Sequence, residues 1–304
     1  MRVIDAAELR RRLSVTDAID ALERAFREGD PTAGPLRSRL DTVNGQLLVM
    51  PATGDAGSGV KLVTVTPDNP PQGLPLVNAV YVLFSPGTQV PEAVLDGPTL
   101  TALRTGAVSG LATRFLARED AARLVLFGSG VQARAHLEAM MEVRSINWVT
   151  VVARSRDRGE ALVEEARGRG IEGALGDATA VREADLVCTC TTSETPLFAG
   201  EDLAAGAHVN AIGAYRPDMR EVDTATVRRG RVVVETREAA LEEAGDLLIP
   251  IEEGAIGPDH VVADLADVVR GAGVRSGPDD VTLFESVGLA FEDLAIARAA
   301  VDAR

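Results

Sequence analysis

The chain has 304 residues, 46% of them hydrophobic and 25% charged, which allows two domains and a sizeable core of ordinary globular composition. A formal net charge of −15 argues against nucleic acid and against an anionic membrane surface as partners. No apolar run approaches the roughly 20 residues needed to cross a bilayer, and the opening MRVIDAAELRRRL lacks the apolar centre of a signal peptide, so a cytoplasmic protein is expected.

Residues 14–29, SVTDAIDALERAFREG, predict the first helix. Ser14 is placed to cap it, Ala18, Ile19, Leu22, Ala25 and Phe26 form one apolar stripe, and Gly29 ends it. Three strand-like runs follow, at 46–52, 59–67 and 77–84, separated by Gly, Pro, Asn and Asp turns, a meander spacing that predicts a mostly antiparallel sheet. A helix then begins at Pro98, a tolerated first-turn proline. From Arg123 the pattern changes to strands alternating with helices, the grammar of a parallel sheet with covering helices. The last segment, FESVGLAFEDLAIARAAVDAR, reads as a further amphipathic helix.

Gly128-Ser129-Gly130-Val131-Gln132-Ala133 matches the G-x-G-x-x-A dinucleotide fingerprint. The first glycine makes the tight turn and the second lets backbone approach a pyrophosphate. The small third residue permits close helix–strand packing, and the helix N-terminus faces the phosphates. The context of this turn, after the strand LVLF and before a helix in a βαβ series, is what confirms such a motif. Gly128, Gly130, Val131 and Gln132 are therefore candidate cofactor-binding residues. An NAD site usually carries Asp or Glu at the end of the second strand, to accept from the 2′-hydroxyl of the adenosine ribose. Here that position holds Ala153-Arg154-Ser155-Arg156, two guanidiniums and a hydroxyl suited to a 2′-phosphate, so NADPH rather than NADH is expected. The bland alternative is that these arginines are merely solvated. Thr191, Thr192 and Ser193 fall at a later strand end, where hydroxyls either touch ribose or phosphate or cap the next turn.

Of the 31 basic residues 30 are arginine, and the single lysine is Lys61. Where arginine serves nearly everywhere, a surviving lysine is a candidate for work that needs a compact charge with a movable pKa. Alternation puts Lys61 on the face of Val63 and Val65, so it either snorkels to an edge or serves a ligand. Arg104 shares a helix face with Leu100, Ala107, Val108 and Leu111, and needs either an internal carboxylate such as Asp96 or a bound anion. Arg37 and Arg39 add cations before the first sheet strand, and together the basic sites suggest capture of a small carboxylate. Cys188 and Cys190 read as core thiols on one strand face. His136, His208 and His260 show no ligand spacing, so no metal site is expected.

Taken together, LDGPTLTALRTGAVSGLAT, FGSGVQARAHLEA, VNAIGAYRPDMREVD and FESVGLAFEDLAIA resemble the ornithine cyclodeaminase/mu-crystallin family, in the family's order and over nearly the whole chain. The resemblance implies a homodimer. It also implies an α/β architecture: a Rossmann-type dinucleotide-binding domain over 118–281, and an α+β substrate-binding and dimerisation domain over 1–117 completed by a C-terminal helix, 282–304. It assigns Arg37, Lys61 and Arg104 to the substrate carboxylate and to catalysis, and Ser286 of FESVGLA joins the cofactor-binding candidates. Cyclodeaminases of the family carry an aspartate just after the VNAIGA-like strand. This chain has Tyr215 there, a substrate-contact candidate but a poor base near neutral pH, with Asp218 nearby. The departure points away from ornithine cyclodeamination and toward an NADPH-dependent reductase of cyclic ketimino acids of the Δ1-pyrroline-2-carboxylate or Δ1-piperideine-2-carboxylate type. The alternatives are an ornithine cyclodeaminase, an alanine-dehydrogenase-like amino-acid dehydrogenase and a non-catalytic ligand-binding protein.

Overall fold

The computed structural model describes residues 1–303. The chain divides into two compact units, Met1–Arg104 with Leu289–Arg304, and Thr105–Gly288. In the first, β1 (Arg2–Ile4), α1 (Ala6–Arg12) and α2 (Val15–Glu28) precede β2 (Ser38–Thr42), β3 (Gly45–Gly54), β4 (Gly57–Val65), β5 (Val77–Phe84) and β6 (Pro91–Asp96). The sheet order is β1-β6-β5-β4-β3-β2. The predicted meander is antiparallel throughout, and only β1 joins it in parallel, along β6.

The C-terminal helix (Ala290–Asp302) packs on β3, β4 and β5 of this sheet, and α2 packs on that helix. Ser14 and Asp17 close a capping box at the start of α2, and Ala18, Ile19, Leu22 and Phe26 carry its buried stripe. Phe26 meets Phe291 edge-to-face at 5.3 Å. Gly29 ends α2 in extended backbone, so close packing rather than a left-handed turn requires it. A Cβ there would stand 2.9 Å from the Ala25 carbonyl and 3.2 Å from the Phe291 ring.

The division between units falls inside α3 (Gly97–Leu116), between Arg104 and Thr105, earlier than the predicted boundary at 117. In the second unit, β7 (Arg123–Phe127), α4 (Val131–Val143), β8 (Trp148–Val152), α5 (Arg156–Gly168), β9 (Glu172–Leu175), β10 (Leu186–Thr189) and β11 (His208–Ala211) are followed by α6 (Thr224–Arg229), β12 (Gly230–Val234), α7 (Arg237–Glu243), α8 (Gly245–Glu252), β13 (Val261–Asp264), α9 (Leu265–Val269) and β14 (Val281–Glu285). All eight strands run parallel in the order β13-β12-β14-β11-β10-β7-β8-β9. Strand order reverses at β7, with β8 on one side and β10 on the other, the switch point at whose carboxyl edge such sheets bind ligands. The late part of α3 belongs here because Gly106 lets it approach α4. A Cβ at Gly106 would lie 2.7 Å from the Ala135 carbonyl, and His136 Nε2 meets Ser109 Oγ at 2.8 Å.

One predicted boundary is corrected. The last helix does not begin at 282: residues 282–285 belong to β14, seated between β11 and β12. VTLFE is buried at every position, and a short run buried on both faces has no alternation to distinguish it from a buried helix. Among the described residues no helix is long and apolar enough to cross a membrane.

Candidate active site

The first unit buries a cluster of charge. On β4 the lone lysine, Lys61, lies opposite Met50 of β3 and Tyr81 of β5, and is 1% exposed. Its Nζ stands 2.7 Å from Oδ2 and 2.9 Å from Oδ1 of Asp293 on the C-terminal helix. Arg104, 6% exposed, donates from Nη1 to Glu292 Oε2 at 3.0 Å and places Nε 3.3 Å from Asp293 Oδ1. The carboxylates facing Arg104 are thus Glu292 and Asp293. Asp96, the internal partner suggested by the sequence, instead accepts from the Thr99 amide at the start of α3. Burial is the largest influence on Lys61 and lowers its pKa to about 8; Asp293 pulls it back up, while the charges of Arg104 and Arg37 push it down. Half-buried Arg37, just ahead of β2, is therefore within electrostatic reach of Lys61. Arg39 lies within β2 itself.

Glu292 and Asp293 were legible in principle. Two acids inside LAFEDLAIA, on a helix with a buried face, demand cationic partners. Tyr81 is a further resident of the cluster. It is fully buried and its hydroxyl has no hydrogen-bond partner among the described residues, while burial and the Asp293 charge push its pKa well up. Its ring occupies the space above Gly59, where a Cβ would stand 2.1 Å from the hydroxyl oxygen.

The second unit presents the glycine turn at the carboxyl end of β7. Gly128 has φ +109°, and a Cβ on it would stand 2.5 Å from the Cys190 carbonyl. The space around the Cα of Gly130 is open, and α4 begins there with no side-chain cap and no acid in its first turn. Unspent amides facing open space are what a pyrophosphate requires, so these residues fit a dinucleotide. Ala133 is fully buried, as the third position of the motif demands. Val131 is 64% exposed beside the turn, and Gln132 Oε1 is buried without a partner among the described residues. Past β8, Ser155 caps α5 by accepting from the Arg158 amide, and Arg156 pairs with Glu160 at 2.8 Å in solvent. Arg154 is exposed, and no ion pair engages it among the described residues.

Behind this edge lies a buried acid that sequence reading passed over. Glu221 of MREVD accepts four hydrogen bonds: Thr191 N at 2.7 Å and Thr191 Oγ1 at 2.5 Å on Oε1, and Thr189 Oγ1 and Gly213 N, both at 2.7 Å, on Oε2. It ties the loop after β10 to the loop after β11. Burial pushes its pKa up against the pull of these donors. Thr191 is thus committed to Glu221, Thr192 is exposed, and the Ser286 hydroxyl donates to Glu235 at 2.6 Å inside the unit. Asp246 accepts from the amides of Glu221 and Val222 and is pushed up to about 8, by burial first and Glu221 next. Glu285, at the end of β14, is 1% exposed with neither oxygen hydrogen-bonded among the described residues, and burial holds its pKa well above the carboxylate range. Tyr215 is half-buried, and Asp218 is exposed and paired with Arg216 at 3.0 Å.

The family model for ornithine cyclodeaminase/mu-crystallin proteins matches residues 2–303. The chain belongs to that family. Within the ornithine cyclodeaminase/mu-crystallin family it is 38% identical over 310 aligned positions to a Δ1-pyrroline-2-carboxylate reductase of Bacillus cereus, covering 98% of this chain and 95% of the relative. The structure of Thermococcus litoralis Δ1-pyrroline-2-carboxylate reductase, in complex with NADH and L-proline, superposes with TM-score 0.95 at 37% identity, covering 99% and 97% of the two chains. An archaeal alanine dehydrogenase dimer with bound NAD superposes with TM-score 0.94 at 33% identity, covering 99% and 95%.

Proposed function

We propose that the protein is a nicotinamide-dinucleotide-dependent reductase of cyclic ketimino acids, converting Δ1-pyrroline-2-carboxylate to proline. The observation that carries this reading is the buried pair of Lys61 and Arg104, with Arg37 in electrostatic reach, in a chain whose Thermococcus relative holds NADH and L-proline. Proline is the product of adding hydride to the imine carbon and a proton to the nitrogen of that ketimine. The balanced reaction consumes imine, reduced dinucleotide and one proton, and yields amine and oxidised dinucleotide.

The bound dinucleotide supplies the hydride. The chain's own residues hold and polarise. Arg37, Lys61 and Arg104 grip the substrate carboxylate, and fixing that group in line with the reacting carbon supplies much of the rate. Gly128, Gly130 and the first turn of α4 receive the pyrophosphate. Glu221 keeps the Thr191 and Gly213 loops in one conformation.

Two finer parts belong to the same proposal. The cofactor is NADPH, supported by the absence of an acid among residues 153–156 at the end of β8 and by the exposed Arg154. The chain works as a homodimer, supported by the archaeal dimer and by the exposed apolar Leu40, Val43, Val77 and Val90 of the first unit.

Dinucleotide oxidation with Δ1-pyrroline-2-carboxylate, Δ1-piperideine-2-carboxylate, and pyruvate plus ammonia tests the reading. Turnover of a cyclic imine acid well above that of pyruvate plus ammonia is expected. The reverse ranking overturns it in favour of the amino-acid dehydrogenase to which the archaeal likeness points. L-Ornithine should yield negligible proline, because Tyr215 stands where a cyclodeaminase carries the carboxylate that takes up the protons of the substrate amines.

A further inference from the structure

Lys61 and Arg104 are two cations in a nearly dry place, 1% and 6% exposed. Two like charges at that depth repel strongly, and an isolated buried ammonium discards its proton rather than pay the cost of desolvation. A neutral amine holds no carboxylate. The site therefore needs a built-in anion that keeps the Lys61 ammonium charged beside the guanidinium before any substrate arrives. The geometry points to one atom pair. Asp293, 0% exposed, reaches Lys61 with both oxygens, at 2.7 and 2.9 Å, and its Oδ1 also lies 3.3 Å from Arg104 Nε. Glu292, the preceding residue, takes the other side of the guanidinium through Nη1 at 3.0 Å.

We propose that Asp293 is the positioning residue of the carboxylate grip, a single buried carboxylate that locks the Lys61 ammonium and the Arg104 guanidinium side by side. The proposal rests on the reading of Lys61 and Arg104 as substrate-carboxylate ligands. Asp293 acts through them and is not itself a catalytic residue. The helix it sits on adds to the effect, because Glu292 and Asp293 occupy the first turn, where the macrodipole favours negative charge. The groups facing Lys61 from the packed elements are Asp293 on the C-terminal helix, Arg104 on α3, Arg37 ahead of β2 and the neutral Tyr81 hydroxyl on β5. Only the first of these favours the ammonium, so its removal has one sign.

Lys61 is the single lysine, so a chain labelled with 13C at lysine Cε, free of added lysine, gives one side-chain signal that titrates with Lys61 alone. In the wild-type protein saturated with oxidised dinucleotide, the inflection is expected at about 8. In Asp293→Asn it should fall by on the order of one to three units, the usual effect of an adjacent opposite charge. KM for the imine acid at pH 8 should then rise about tenfold or more, as the ammonium fraction collapses, while dinucleotide affinity is unchanged. An inflection that stays within about 0.3 unit of wild type in Asp293→Asn overturns the proposal.

If Asp293→Asn does not fold, Asp293→Glu keeps the charge and displaces it by a methylene. The inflection should then stay near 8 while KM for the imine acid rises severalfold, and a wild-type KM overturns the proposal. The titration needs no turnover. A wild-type protein that reduces no cyclic imine therefore defeats the proposed function while leaving the role of Asp293 to be judged on the lysine signal.

Discussion

Glu221→Gln exchanges one carboxylate oxygen for an amide NH2 and changes almost nothing in size. Its consequence follows from the donors on each oxygen. Oε1 receives a backbone amide and a hydroxyl, both from Thr191, while Oε2 receives the Gly213 amide and the Thr189 hydroxyl. Whichever oxygen becomes NH2, its hydroxyl partner can rotate and accept, but its backbone N–H cannot. One backbone amide, of Thr191 or of Gly213, is then left facing a donor. An unsatisfied buried donor costs about 1–3 kcal/mol, and the charge-assisted bonds weaken as well. For a chain of this size the loss should lower Tm by several degrees. The loops after β10 and β11 lie at the dinucleotide edge, so dinucleotide Kd should rise about tenfold while KM for the imine acid changes little. Calorimetry and titration of NADPH fluorescence read the two quantities. Wild-type Tm together with wild-type Kd would refute the reasoning, because the four bonds would then be dispensable.

Cofactor choice is read from kcat/KM, where NADPH should exceed NADH by at least ~10-fold, about one phosphate contact, and Arg154→Ala should erase most of that preference; equal use by the wild type defeats it. Gly59→Ala drives a methyl to within 2.1 Å of the Tyr81 hydroxyl oxygen and 2.6 Å of the ring carbon that bears it, in a wall that is fully buried. A loss of at least about 1–3 kcal/mol in urea unfolding is expected, and Gly59→Ala/Tyr81→Phe should recover only part of it, because the ring carbon remains in the way. Lys61 also predicts a pH signature. Its folded pKa of about 8 lies below the 10.5 of the free side chain, so between those values the unfolded chain binds the extra proton and stability contributed by this group rises with pH. The buried thiols and Tyr81 work oppositely in that range, since their native pKa values are raised. The wild-type minus Lys61→Met difference should therefore grow in favour of wild type from pH 8 to 10, by on the order of 2–3 kcal/mol, and a flat difference contradicts the assignment.

Local rules carried a good part of this protein. The Ser14 cap of α2, the strand alternation that turns Lys61 inward, the glycine turn opening α4 and the absence of an acid among residues 153–156 at the end of β8 all depend on neighbours a few residues apart. Each is legible because a backbone angle, a period or a cap is set locally. The same rules misread 282–285, since burial on both faces erases the period that separates strand from helix. For Arg104 they offered a nearby carboxylate such as Asp96 or a bound anion, when its carboxylates come from 188 residues along the chain, and the partner of Lys61 from 232. Glu221 went unnoticed for a related reason: the Thr191 loop it holds lies 30 residues away, and nothing in MREVD announces which oxygen meets which donor. Sequence alone established that buried charges needed partners, because desolvation makes an unpaired charge untenable wherever it sits. Which partners they found was decided only when the sheet and the C-terminal helix packed, since electrostatic pairing depends on distance in space and carries no memory of distance along the chain.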